Sequence, residues 1–365
     1  MNSTQAGTQK IDNRKRPKLA LLIAAHNEEL VIEKTIRSAI NAGMKPENIY
    51  VVDDNSTDKT KKIAADIIGK NNVCKVRRSG KGLALTKAAK KFELSSKYQW
   101  IHIADADGGF ASDYFYKFRK NLRIKYAAAT GYVKSLPGTS IGEYRVYEYT
   151  IGMELHRRFQ SLVHTVSVIP GPTSCFRSDI FDKINFANNS FTEDFDVTLQ
   201  LHRKNLGKIQ FITSAVAFTQ DPRTTKDYVK QITRWNRGTM QRIKQHKIGF
   251  KPNRIDLYLS YQVMTNMLFF INYFVLFPII AIKKDSVAVL AAAFLMDVTL
   301  TFALTVLVAL RSTRWDILSA FPYIYYLRFV QLFVFLKAMV EILILDKFKS
   351  TGGTWSTSGR RYKQA

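Results

Sequence analysis

Two carboxylates stand one residue apart in Asp105-Ala106-Asp107, a spacing at which they repel unless a cation or a donor lies between them. A hard divalent ion suits such a pair, because Mg²⁺ or Mn²⁺ uses one or two protein carboxylates and lets substrate phosphates complete its shell. The chemistry expected there is metal–diphosphate binding. Arg77-Arg78-Ser79-Gly80-Lys81-Gly82 offers cations and backbone N–H groups ahead of a helical pattern, which suits an anion although the spacing is not that of a Walker loop. His26-Asn27-Glu28 and Asp53-Asp54-Asn55-Ser56 are further polar clusters. The second of these also reads as an Asx-turn with a helix cap at Ser56, Thr57 or Asp58. Thr192-Glu193-Asp194, ahead of Val197, Leu199 and Leu201, taken alone is an N-cap followed by acids that favour a helix dipole. Pro170-Gly171-Pro172-Thr173-Ser174-Cys175 is a rigid turn, either a pocket wall or a connector. Gln231-Ile232-Thr233-Arg234-Trp235 lies in the basic stretch Lys226–Lys247, whose Tyr228, Val229, Met240 and Ile243 make it a basic amphipathic helix suited to an anionic membrane face.

These clusters are ordered by the elements around them. Leu19–Ala25, Ile49–Val52, Val73–Val76 and Trp100–Ala104 read as short strands, separated by helical patterns at Glu29–Ala42, Thr57–Ile68, Gly82–Phe92 and Asp113–Ile124. Such alternation predicts an α/β domain with an open, doubly wound, mostly parallel sheet. Ligands of these sheets sit beyond the carboxyl ends of the strands, which is where the acidic clusters fall.

The 365 residues carry 55 Lys+Arg against 29 Asp+Glu, a net charge of +26, with 46% hydrophobic residues. That composition excludes a wholly disordered or fibrous chain. The charge suits nucleic acid, anionic lipid or a polyphosphorylated ligand equally. Cys74 and Cys175 match no zinc or disulfide pattern, so a reducing compartment is expected. A polar, basic start without an apolar core predicts no cleaved signal peptide.

The ensemble is more specific than its parts. Asn27-Glu28 after the first strand, Asp53-Asp54 after the second, Asp105-x-Asp107, Thr192-Glu193-Asp194 and Gln231-x-x-Arg234-Trp235 ahead of apolar segments together resemble the family 2 glycosyltransferases with a GT-A (Rossmann-like) fold. The last motif is similar to that of the processive branch, which includes cellulose, chitin, poly-N-acetylglucosamine and hyaluronan synthases. The resemblance covers about Leu19 to Trp235 and implies a UDP-sugar donor. It implies that Ala25, His26, Asn27, Glu28, Asp53 and Asp54 line the nucleotide pocket, that Lys81 contacts the nucleotide, and that Asp105 and Asp107 hold the metal and diphosphate. Glu193 and Asp194 would be the catalytic pair, Asp194 being the base in an inverting transfer. Gln231, Arg234 and Trp235 would close over the donor and form the acceptor end, with Gly171, Pro172 and Cys175 on an acceptor-side loop. Glu193-Asp194-Phe195 resembles poly-N-acetylglucosamine and cellulose-type enzymes, whereas Trp355-Ser356-Thr357-Ser358-Gly359-Arg360 is similar to the ending of hyaluronan synthases, with Ser356 in place of Gly. The donor sugar stays open between them.

The expected organisation is a polar tail over 1–18, a catalytic domain over 19–250, a membrane region over 257–345 and a basic tail over 346–365. Gln262–Ile282, Ser286–Leu310 and Tyr323–Leu345 are each long enough to span a bilayer, for which roughly 20 residues suffice. The basic connector Arg311-Ser312-Thr313-Arg314 is expected on the cytosolic side with the catalytic domain, in a multi-pass protein of the plasma membrane. Three crossings would put the basic tail outside, so one segment is expected to be re-entrant or interfacial. Asn266, Asn272, Asp297, Arg328, Gln331, Lys337 and Glu341 should face one another or a watered path for a growing polymer. The partners expected are a UDP-sugar, a polysaccharide or lipid acceptor, the bilayer and in some arrangements further copies of the chain. Nucleic acid is not expected, since acidic clusters would repel its phosphates. The rivals are a single transfer to a lipid, a membrane-tethered nucleic-acid binder, and an inactive scaffold of the same fold.

Overall fold

The computed structural model describes residues 17–136, 138–186, 192–283 and 286–346. The first strand, β1 (Leu19–Ala25), is apolar throughout because both its faces are covered. It pairs in parallel with β2 (Ile49–Asp53), which pairs in parallel with β3 (Val73–Lys75). On its other side β1 pairs in parallel with β4 (Trp100–Asp105). The helices Ile32–Asn41, Thr60–Ile68 and Lys81–Lys91 make the crossovers.

Beyond β4 the sheet changes character. Strand β5 (Gly109–Phe110) is a two-residue edge, β6 (Ala128–Ser135) and β8 (Ile209–Thr219) are parallel neighbours, and β7 (Ser174–Arg177) lies antiparallel between β4 and β6. The order is β3-β2-β1-β4-β7-β6-β8-β5, eight strands in one sheet. The sheet is therefore mixed rather than mostly parallel. The expectation rested on the first four strands, and Ser174-Cys175-Phe176-Arg177 is too short and too little patterned to announce an antiparallel insertion. Apolar cores cover both faces, one around Ile23, Ile36, Val51 and Phe115 and the other around Leu22, Val52, Leu85 and Phe176. His102 lies in the first, its Nε2 2.8 Å from the Tyr114 hydroxyl, and full desolvation lowers its pKa to about 3.

The remaining helices form a second layer. Ser140–Ile151 continues through a π-helical turn, Gly152–Arg157, into Arg158–Leu162. Glu193–Arg203 follows β7 and Thr225–Gln245 follows β8. Among the described residues two helices, Arg254–Lys283 and Ala288–Ser312, are long and apolar enough to cross a membrane. The third apolar segment is helical over Phe321–Met339 with a π-turn at Val340–Ile344, but it is not one of these, and Arg328 and Lys337 interrupt it. It lies along Thr225–Gln245, with the hydroxyls of Thr225 and Tyr323 2.9 Å apart at one end and Lys244 Nζ 2.8 Å from Asp346 at the other. Glu341 accepts from Arg237 of that helix at 2.7 Å.

Candidate active site

Because Ala25 and Asp53 are in register at the ends of β1 and β2, the polar clusters that follow them meet. His26 Nδ1 donates to the Asp54 carbonyl at 2.9 Å, and the Asn27 and Glu28 N–H groups donate to Ser56 Oγ at 3.0 Å and Thr60 Oγ1 at 2.7 Å. Asn27 holds a left-handed φ of 54° that Asn tolerates well. Both aspartates are fully buried. Asp53 Oδ1 accepts from the Ser56 N–H at 2.8 Å, the expected Asx-turn, while Oδ2 is a buried acceptor without a hydrogen-bond partner among the described residues. Asp54 takes the N–H groups of Ser79 at 2.8 Å and Gly80 at 2.9 Å. Its carboxylate thereby fixes the turn that delivers Lys81. Thr60–Ile68 begins later than Ser56 or Thr57, and Asp58 receives its first N–H, from Thr60 at 3.0 Å.

Lys81 joins motifs that are far apart in sequence. Its Nζ lies 2.6 Å from Asp105 Oδ1 and 2.6 Å from Glu193 Oε1. Burial works against the ammonium, but the two carboxylates outweigh it and hold the pKa well above the ordinary lysine range. Asp194 is adjacent. Its carboxyl is pushed up to about 6, first by desolvation and then by the charge of Glu193, with Asp105 adding to it; Lys81 and the Phe195 N–H, 2.8 Å from Oδ1, pull the other way. A carboxylate so poised near neutrality suits a general base.

Two glycines close the site from outside. The Gly171–Thr173 turn, which carries Pro172, presses on Asp105 so closely that a Cβ on Gly171 would lie 2.6 Å from Oδ2. A Cβ on Gly82 would lie 1.7 Å from the Phe186 carbonyl oxygen, so the first turn of the Lys81 helix requires glycine. Cys175 is fully buried in β7 opposite His102, and burial pushes its thiol well above the ordinary range. It belongs to the core and does not line an acceptor surface. Asp107 is half-buried in the turn after β4. No group of three or more His, Cys, Asp or Glu that could hold a metal occurs among the described residues.

The helix Thr225–Gln245 is fastened to the helix of Glu193 and Asp194. Its Gly238 backbone meets Thr192, where a Cβ would fall 2.6 Å from Oγ1. Buried Asp196 accepts from Arg242 at 3.2 Å and lies 2.8 Å from His246 Nε2. Several cations of the basic stretch are thus committed within the protein. On its half-buried face stand Gln231, Arg234 and Trp235, and Gln231 Oε1 and Arg234 Nε have no hydrogen-bond partner among the described residues.

Sequence reasoning missed Arg157. It ends the π-turn, is 6% exposed, donates from Nη1 to the Val168 carbonyl, and faces the charge of Asp194. Burial lowers its pKa to about 10. The only signal was the pair Arg157-Arg158 in an otherwise amphipathic run.

The family described as "Glycosyl transferase family 2" matches residues 20–184, from β1 through Lys81, Asp105 and Asp107 to just beyond β7. The chain carries a family 2 glycosyltransferase domain. Among its relatives are the probable glycosyltransferase YdaM of Bacillus subtilis, 27% identical over 70% of this chain and 63% of that protein, and the poly-beta-1,6-N-acetyl-D-glucosamine synthase of Staphylococcus aureus, 26% identical over 66% and 59%. The chain thus spans about three fifths of these relatives' lengths. A mannosyltransferase from Pyrobaculum calidifontis, solved with GDP-Man and Mn²⁺, is similar in fold, with a TM-score of 0.56 at 17% identity over 85% of this chain and 87% of that one.

Proposed function

We propose that this glycosyltransferase moves a sugar, with inversion, from a UDP-sugar to the hydroxyl of a growing β-linked, N-acetylglucosamine-containing polysaccharide at a membrane. The observation that carries the reading is the bridge from Asp105 through Lys81 to Glu193, which brings an acid of the diphosphate side and an acid of the base side onto one ammonium.

The donor side rests on orphaned groups. The Asp53 Oδ2 acceptor beside His26, Asn27 and Glu28 suits the N–H of a nucleobase, and Arg234 Nε with Gln231 Oε1 suits a phosphate and a sugar hydroxyl. Asp105 and Asp107 fit a divalent ion of the Mg²⁺ or Mn²⁺ kind, because two carboxylates leave positions for phosphate oxygens. When bound, the ion supplies charge neutralisation of the leaving diphosphate. Lys81 lends a fixed positive charge to the same side. Asp194 takes the proton of the acceptor hydroxyl as that oxygen attacks the anomeric carbon from the face opposite the leaving group, so an α-linked donor gives a β-linkage. Trp235 offers a flat apolar face to the acceptor ring.

The acceptor's length follows from the surroundings. A cavity of about 370 Å³ opens between Thr225–Gln245, Arg254–Ile271 and Phe321–Met339, lined by Asn236, Gln262, Asn266 and Gln331 with Phe269 and Phe335. Amides and aromatic rings in this mixture suit a carbohydrate, which supports extension and passage of a polymer. In this reading Arg254–Lys283 and Ala288–Ser312 cross the bilayer while the third segment stays against the catalytic domain. Arg314, just after the second helix, pairs with Glu143 at 2.9 Å, which supports a cytosolic catalytic domain on the same side as that connector. The tail motif Trp355–Arg360 lies outside the described residues.

Purified full-length protein given Mn²⁺ and labelled UDP-GlcNAc, UDP-glucose or UDP-glucuronate, singly and in pairs, tests the reading. A ladder or high polymer from UDP-GlcNAc alone is expected. One glycolipid species would replace it with single transfer to a lipid, and an obligatory sugar pair would indicate a hyaluronan-like product.

A further inference from the structure

The helix Ser140–Ile151 carries an arginine for which the donor chemistry above has no use. Arg145 is 1% exposed, and all three faces of its guanidinium fork are taken: Nε donates to Asp221 at 3.0 Å, Nη1 to Glu148 at 2.6 Å and Nη2 to the Tyr149 hydroxyl at 2.6 Å. Its guanidinium carbon lies 5.0 Å from the ring centre of Trp235, with the Tyr149 and Tyr228 rings at 4.4 and 5.9 Å. The acids are fixed in turn. Asp221 accepts from Ser135 Oγ at 2.6 Å, and Glu148 accepts from Gln331 Nε2 at 3.1 Å, while Gln331 Oε1 accepts from the Tyr144 hydroxyl at 2.7 Å. An unbroken line of polar contacts therefore runs from the end of β6 to the helix Phe321–Met339. Gln331 also lines the cavity, together with Asn236, the residue after Trp235.

Burying one cation with two carboxylates is a poor way to stabilise a fold, because an apolar cluster of equal volume commonly does as well or better. It is a good way to fix geometry, since a planar guanidinium held by a hydrogen bond from each of its three nitrogens presents a rigid cationic face to an indole.

We propose that Arg145 is a positioning residue that sets the Trp235 ring at the acceptor end, and that the contacts through Glu148 and Gln331 make this setting depend on the helix Phe321–Met339. The inference rests on the reading of Trp235 as an acceptor platform. Acceptor alignment and the packing of the membrane-side helix are then one variable, and a change at Gln331 is felt at the sugar ring on Trp235. A misaligned acceptor leaves the donor bound, so more of it is lost to water.

The test uses the full chain with UDP-GlcNAc and Mn²⁺ and reads UDP-GlcNAc affinity, the acceptor KM with a GlcNAc oligosaccharide, and the share of donor hydrolysed rather than transferred. The variants are Arg145→Lys, Gln331→Leu and Trp235→Ala. Arg145→Lys is expected to keep donor affinity within about twofold while transfer falls about tenfold and hydrolysis gains, the size expected for losing one cation–π contact. Gln331→Leu should move the same ratio in the same direction, by about threefold at the strength of one neutral hydrogen bond. If Arg145→Lys does not fold, Gln331→Leu carries the test alone. A hydrolysis share and acceptor KM unchanged in a folded Arg145→Lys and in Gln331→Leu, with both shifted in Trp235→Ala, overturn the positioning role alone. No shift in Trp235→Ala overturns the acceptor reading beneath it.

Discussion

Replacing Asp194 by Asn should stop catalysis and stabilise the protein, and the two effects have one cause. The Asp194 carboxyl is pushed from its ordinary 3.8 up to about 6 by desolvation and by Glu193, against the pull of Lys81. A gap of about two pH units at 1.36 kcal/mol each amounts to ~3 kcal/mol. The sign follows from linkage: the folded protein holds this proton more tightly than the unfolded chain, so ionisation costs stability. That cost is absent below pH 3.8, grows between 3.8 and about 6, and is full above. Asn carries no such charge. In detergent the variant should therefore melt above the parent at pH 7.5, with the difference shrinking to nothing near pH 4. Over the same range its kcat for transfer should be lower by about 10²–10⁴-fold, as expected for loss of a general base, while UDP-GlcNAc affinity changes little. Turnover within a few-fold of the parent would remove Asp194 from the mechanism. A melting difference independent of pH would refute the buried-charge argument even if activity fell.

Other outcomes follow from the same geometry. Transfer by the parent should fall as pH drops through about 6, and that limb should be absent from any residual activity of the Asn variant. Gly171→Ala drives a methyl to within 2.6 Å of Asp105, so it should displace that carboxylate from Lys81 and cost transfer at least tenfold with the fold retained, as read by circular dichroism beside the activity assay. Gly82→Ala meets backbone at 1.7 Å and should cost ~3 kcal/mol or more, visible as a lowered melting temperature. Chelation by EDTA should abolish transfer, and Mn²⁺ or Mg²⁺ should restore it; full turnover in chelator would dissociate Asp105 and Asp107 from a cation.

The parts legible in the sequence were those where local pattern and tertiary demand agree. Leu19–Ala25 is apolar on both faces because the strand is central, so its bounds could be read directly, and the acidic clusters follow strand ends because that is where an α/β sheet opens. What could not be read came from contacts distant in sequence. Lys81 reads as an anion-binding cation, yet only the fold brings Asp105 and Glu193 to it. Asp54 resembles a ligand-facing acid, but its carboxylate is taken by the turn that places Lys81. The basic stretch Lys226–Lys247 looks fit for a lipid surface because periodicity cannot tell a lipid headgroup from Asp196, Glu341 or Asp346 as the partner of a cation. Cys175 sits next to a turn that touches the site, but strand alternation points its thiol into the core. β7 carries four residues, too few to show a period, and the mixed sheet depends on it.

The gathering of donor-side and base-side acids around Lys81 is tested most directly by turnover itself. Purified full-length protein, labelled UDP-GlcNAc and Mn²⁺ should yield labelled polymer and free UDP, with Asp105→Asn and Asp194→Asn each abolishing the polymer but only Asp105→Asn weakening donor binding. Equal loss of donor binding in both variants, or polymer formed in their presence, would contradict the division of labour across Lys81.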